Sequence, residues 1–238
     1  MVGPCQGTYM PATRIFLDTP ILREAFVRKT NGVNWRQEYN LPSGVQLVTG
    51  HKCLAEVHGI LKTSILDTEL AVYGCVSSKR FRDMILKGDD FLNIFWHHQI
   101  LEKTQSELPQ PIRANEQGKR LQLLIKWRTC YEAVRADFDQ FLRQEAIECV
   151  HYGVLFSHHE WQAKFDDLAT ETLIPSEDLE IVLAAWYARA DVFLTRDKRL
   201  VQFSFSLPLE PGIPVFSTPE DLEHKLAEKQ QGVISFAA

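Results

Sequence analysis

Residues 176–197 read SEDLEIVLAAWYARADVFLTRD, and the fold of the chain turns on them. Pro175-Ser176-Glu177-Asp178 carries the marks of a helix start, with proline at the opening and acids where the helix dipole is positive. Ile181, Ala184, Ala185 and Ala188 then recur at helical spacing and form a small-residue stripe suited to close packing. Soon afterwards Asp191 to Leu194 is a short apolar run that reads as a strand, closed by Thr195-Arg196-Asp197. A helix that feeds so directly into a strand is one half of an alternating α/β layout.

The alternation continues in both directions. Arg14 to Leu17 is a strand ending at Asp18, after which Thr19-Pro20 opens an amphipathic helix reaching about Val27. Val45 to Val48 is a second strand, and Thr49 to Leu61 a helix whose core stripe of Leu54, Val57, Ile60 and Leu61 leaves Glu56 on one flank. Tyr152 to Phe156 is a third strand. Ser157-His158-His159-Glu160 has the form of a capping box for a helix running to about Thr172. Ile213 to Phe216 is a fifth strand, and Thr218-Pro219-Glu220-Asp221 starts a closing helix.

The middle of the chain breaks the rhythm. Phe91 to Leu101 is apolar and helical, Pro109 and Pro111 interrupt it, and a second helix runs from about Gln117 to Glu148. Along that helix Leu124, Trp127, Tyr131, Val134, Phe138 and Phe141 form a heptad-like seam, which packs either within the chain or against a second copy as a homodimer. The expectation is an α/β fold with a mostly parallel, about five-stranded sheet and helices on both faces. One domain spans 13–226 with a helical insertion at about 70–148, and 1–12 and 227–238 are loose termini.

Bulk properties narrow the function. A chain of 238 residues, 45% of them hydrophobic, can bury a full core. A net charge of −5 argues against a surface coated for gripping long duplexes, so any nucleic-acid role needs a local basic patch. Cys5, Cys53, Cys75, Cys130 and Cys149 are odd in number and never spaced as C-x-x-C, which suggests reduced thiols in a cytoplasmic protein and neither a disulfide framework nor a zinc knuckle. No run of apolar residues is long enough to span a bilayer, so no membrane partner is expected.

The chemistry lies in the acids. Asp18 and Asp197 each follow a strand, Asp178 opens the helix leading to the Asp197 strand, and ligands of open α/β sheets bind beyond the carboxyl ends of the strands. With Glu56 they make four carboxylates that would repel one another unless a divalent cation such as Mg2+ or Mn2+ neutralised them. A cation held by carboxylates polarises a phosphodiester and activates water, so phosphodiester hydrolysis is the natural reaction class. Asp18 is the expected central ligand, Asp178 and Asp197 further ligands, and Glu56 a ligand or water-orienting base. The Thr195 hydroxyl can position the attacking water or a phosphate oxygen.

Three stretches carry a resemblance: Arg14-Ile-Phe-Leu-Asp18-Thr19, then Thr49 to Glu56, then Asp178 to Asp197 with its Ala-rich helix and closing Thr-x-Asp. In order, spacing and context they resemble the PIN-domain nucleases, and Gly212 to Leu222 looks like that family's final strand and helix. The resemblance covers about 13–67 and 150–226. It implies a compact three-layer α/β/α sandwich and metal-dependent ribonuclease activity on single-stranded RNA through Asp18, Glu56, Asp178 and Asp197, with Thr195 and Thr19 positioning substrate or water. Such proteins are often the toxin of a toxin–antitoxin pair, which adds an antitoxin or other protein partner. Pro20 stands where many members carry a polar residue, and the 70–148 region is larger than the family's usual connection. A catalytically silent PIN-like module that binds RNA or protein is the rival expectation.

Other candidates have plainer readings. Glu177 can substitute for Asp178, whereas Asp191 begins its strand and reads as structural. His97-His98 and His158-His159 lack further ligands at metal spacing and read as surface or capping residues. Arg113, Lys119, Arg120, Lys126, Arg128 and Arg135 fall on both flanks of the aromatic seam and read as a solvated helix face.

Overall fold

The computed structural model describes residues 13–72, 117–151, 157–208 and 210–230. Among the described residues five strands form one all-parallel sheet: β1 (Arg14–Leu17), β2 (Gln46–Gly50), β3 (Glu148–Val150), β4 (Val192–Leu194) and β5 (Val215–Ser217), in the order β3-β2-β1-β4-β5. The helices are α1 (Thr19–Thr30), α2 (Trp35–Glu38), α3 (His51–Val72), α4 (Gln117–Gln144), α5 (His159–Glu171), α6 (Ser176–Tyr187), α7 (Lys198–Phe203) and α8 (Leu222–Gln230) among the described residues. The α/β class read from the sequence is the observed one. Among the described residues no helix is long and apolar enough to cross a membrane.

The sheet is buried because β1 is apolar on both faces. Alternation sends Phe16 one way and Ile15 and Leu17 the other, and all three are fully buried. In register across the sheet, Phe16 stacks on Phe193 with ring centroids 5.3 Å apart, and Phe193 on Phe216 at 4.6 Å. Each such pair adds about 1 kcal/mol beyond the area it buries. The small-residue stripe of α6 joins this core, with Ala184, Ala185 and Ala188 all buried beside Phe16 and Phe193. Gly50 explains the need for small residues. A Cβ there would meet Phe16 Cζ at 3.2 Å and Ala184 Cβ at 3.4 Å, so helix and strand touch nearly backbone to side chain.

The chain divides into two compact units, one of Met1–Leu54 with Phe141–Ala238 and the other of Ala55–Gln140. The sheet belongs to the first; the expected insertion was 70–148. Within the second unit Trp127 stacks on Tyr131 at 5.7 Å and donates its indole N–H to the Lys62 carbonyl, while His58 stands edge-on to Phe138 at 5.3 Å. Trp127 and Phe138 are buried, and Phe141, counted with the first unit, is buried too, so these seam aromatics are core. Arg128 and Arg135 are exposed and pair with Glu132 and Asp139 one turn on, as a solvated face does.

Several boundaries differ from the sequence reading. The long helix ends at Gln144, and a strand absent from that reading, Glu148–Val150, pairs with β2. The expected strand at 152–156 lies outside the described residues, as do 1–12, Phe91 to Leu101 with His97 and His98, Arg113, Cys5 and Cys75. The strand after Gly44 begins at Gln46 and takes in Thr49 and Gly50, the last strand is Val215–Ser217, and the closing helix runs to Gln230. Asp18, not Thr19, caps α1, and His158, not Ser157, is the cap residue of α5.

Candidate functional site

The strand order fixes where a crevice must open. From β1 the chain steps outward through β2 to β3, and later from β4 to β5 on the other side, so connections leave β1 and β4 in opposite directions. In open parallel sheets this reversal point, at the carboxyl ends of the strands, is where ligands bind. Asp18 follows β1 and Thr195 follows β4, and the register that pairs Leu17 with Leu194 brings them side by side.

Their contact is direct. Thr195 Oγ1 donates to Asp18 Oδ2 at 2.5 Å, and Asp18 Oδ1 accepts the Thr19 amide at 2.7 Å. The same threonine oxygen accepts the Asp197 amide at 3.0 Å, while Asp197 Oδ1 caps α7 by accepting from Arg199 and Leu200. Asp18, Thr19 and Thr195 are buried, Asp18 to 5% exposure, and Asp197 is half-buried. A carboxylate this buried is held by its donors, Thr195 Oγ1 on one oxygen and the Thr19 amide on the other. Thr195 thus gives its proton to Asp18 and orients it.

The other expected acids are placed differently. Asp178 is half-buried in the first turn of α6, and this turn lies at the carboxyl end of β2, where Lys52 pairs with Glu180 at 3.2 Å and donates to the Glu177 carbonyl. Glu177 is exposed. Glu56 is exposed on α3 and belongs to the second unit, whereas Asp18, Asp178 and Asp197 belong to the first. Among the described residues, no three histidine, cysteine, aspartate or glutamate side chains stand close enough together to hold a metal ion.

The structure also brings residues to this edge that the sequence reading passed over. His51 and His151 directly follow β2 and β3, and their rings lie 5.8 Å apart in an edge-on pair. Each comes straight after the last residue of a strand, as Asp18 does, and that position was the available signal. Arg196 bridges Glu24, at 3.3 Å, and Glu220, and its guanidinium lies 5.6 Å from the Tyr39 ring. Tyr39 donates to Glu24 at 2.7 Å, and burial, helped by that carboxylate, pushes its phenol up to about 12. Arg196, Lys198, Thr218, Glu220 and Asp221 border a cavity of about 550 Å³. Lys198 is exposed and makes no ion pair among the described residues.

No protein-family model, curated protein or solved structure matches this chain.

Proposed function

We propose that the protein is a Mg2+- or Mn2+-dependent endonuclease of PIN-like, three-layer form that hydrolyses phosphodiester bonds of single-stranded RNA. The observation that supports this most is the buried Asp18 carboxylate at the reversal point of an all-parallel sheet, held by Thr195 and followed across the crevice by Asp197.

The donor set suits the ion. Carboxylate oxygens are hard ligands of the kind a divalent cation takes, and Asp18 and Asp197 supply them at the carboxyl edge of the sheet, Asp197 Oδ2 lying 3.6 Å from Arg199. Such an ion, when bound, supplies Lewis-acid polarisation and a water of lowered pKa. Asp18 and Asp197 are the ligands expected to hold it, with Asp178 of the same unit contributing directly or through water. Thr195 fixes the Asp18 rotamer, and Thr19 secures the other oxygen through its amide. Lys198, at the 550 Å³ cavity, offers positive charge to a backbone phosphate, while Arg196 is already paired with Glu24 and Glu220.

Cleavage of a labelled single-stranded RNA with Mn2+ is the test. Wild type should cut, EDTA should stop it, and Asp18→Asn and Asp178→Asn should each lower the rate about 100-fold or more, the scale of losing charge stabilisation in the transition state. Equal rates for wild type and both variants would remove the nuclease reading. A second reading, a catalytically silent module that binds RNA or a protein, is favoured by one observation: Asp18 and Asp197 both serve as helix caps. Binding of the same RNA without any metal-dependent cutting would support it.

A further inference from the structure

A second concavity lies at the opposite, amino-terminal end of the sheet. It measures about 530 Å³ and is bordered by Trp161 of α5, Trp186 and Tyr187 of α6, Arg189 and Asp191 in the turn into β4, and Gly212 before β5. The size is that of a small-molecule site, and aromatic walls with a few polar groups are the usual lining.

Its walls are fixed. Trp161 stands edge-on to Trp186 at 5.6 Å and to Tyr187 at 5.4 Å, which gives a right-angled aromatic corner. Lys164 braces the Trp186 ring, its ammonium 3.9 Å from the centroid and 3.0 Å from Glu210, and neither of these charged residues borders the cavity. Gly212 has φ +90°, and a Cβ there would stand 3.4 Å from Trp186 Nε1, so any longer side chain would cover the indole N–H. Glycine leaves that edge reachable.

The hydrogen-bonding groups of the aromatic corner and of Arg189 are donors. Among the described residues neither Trp186 Nε1, nor the Tyr187 hydroxyl, nor the Arg189 guanidinium makes a hydrogen bond or ion pair. The Asp191 carboxylate accepts the Arg14 amide at 2.7 Å, which ties it to β1. Arg189 is exposed and closes α6 at φ +52°, a left-handed position that glycine fills without strain. The cavity therefore offers flat apolar walls, neutral donors and the Arg189 charge at its mouth, with the Asp191 carboxylate, of opposite sign, tied to the Arg14 amide at the start of β4.

We propose that this cavity is a nucleotide site, separate from the acids at the other edge and independent of the nuclease reading. A base packs in the Trp161–Trp186–Tyr187 corner, its acceptor atoms meet the indole and phenol donors, and its phosphate pairs with Arg189. The nucleotide comes either free or as one unit of a single strand.

The experiment follows the indole N–H signals of the full-length, 15N-labelled protein in EDTA, where metal-dependent cleavage plays no part. Probes are AMP, adenosine, inorganic phosphate and a short oligoadenylate. Saturable shifts of the Trp161 and Trp186 signals with AMP, about ten-fold weaker with adenosine, are expected. Arg189→Gly should bring AMP down to the adenosine level without lowering the melting temperature, which separates lost binding from lost folding. Shifts with the oligoadenylate alone assign the site to a strand; shifts with AMP as well assign it to a free nucleotide. The proposal is overturned if neither probe shifts these signals at millimolar concentration, or if Arg189→Gly binds AMP as wild type does.

Discussion

A single hydroxyl joins the two central acids: Thr195 Oγ1 donates to Asp18 and accepts from the Asp197 amide. Thr195→Val keeps the shape and removes the proton, leaving a buried carboxylate short of a donor. Urea denaturation should show a loss of about 1–3 kcal/mol, the penalty of an unsatisfied buried group, and any metal-dependent cleavage should fall with it. Tyr39 allows a spectroscopic check. Its folded pKa, pushed up to about 12, lies above the ordinary 10.0, so its contribution to stability is complete below pH 10 and disappears as pH rises towards 12. Titration of tyrosinate absorbance should show the Tyr39 phenol ionising late, and Glu24→Gln should move it back toward the ordinary value. At this scale Asp18 and Asp197 were legible because acids at strand ends stand out. The Thr195 bond was not, since a threonine after a strand says nothing of which carboxylate it will meet 177 positions away.

α4 stops at Gln144. The Ala146 amide donates to Arg143 and the Ile147 amide to Leu142, with Ala146 at φ +52°, so a left-handed residue terminates the helix without glycine. Ala146→Gly should stabilise by about 1 kcal/mol, read as a rise in melting temperature. Beside it Glu145, 7% exposed, takes Arg36 Nε at 2.7 Å and Lys29 at 2.9 Å, which anchors α1 and α2 to this helix end. Burial pushes the Glu145 carboxyl up, but the two cations outweigh it and hold it below its ordinary 4.5. Its stabilisation is therefore present above that value and fades as pH falls through the lowered one. Between pH 6 and pH 3 the wild type should lose more stability than Glu145→Gln in parallel urea titrations. The helix stop explains why β3 was missed: neither glycine nor proline separates Gln144 from Glu148, and three residues give too short a run for alternation to register. α6 and β4 were read well because their periodicity was strong and their junction short.

Across the whole molecule, the order β3-β2-β1-β4-β5 places β1 at the centre, paired on both sides. Amide exchange should be slowest in β1, where Ile15, Phe16 and Leu17 are fully buried, and faster in the edge strands β3 and β5. Gly50→Ala should destabilise by about 1–3 kcal/mol, because the added methyl must displace Phe16 or α6. Alternation of helices and strands made the parallel sheet readable, but nothing local in a strand names its neighbours. The division at Leu54 and Phe141 was equally hidden, since α3 and α4 run through it with unbroken periodicity. A ribosome meets this order one residue at a time. It releases β1 early and β4 late, so the nascent chain carries a half-built sheet whose open flank awaits a partner still in the tunnel. Any premature stop before Val192 would leave Asp18 without its hydroxyl and that flank bare, so prematurely terminated chains should be prone to clump.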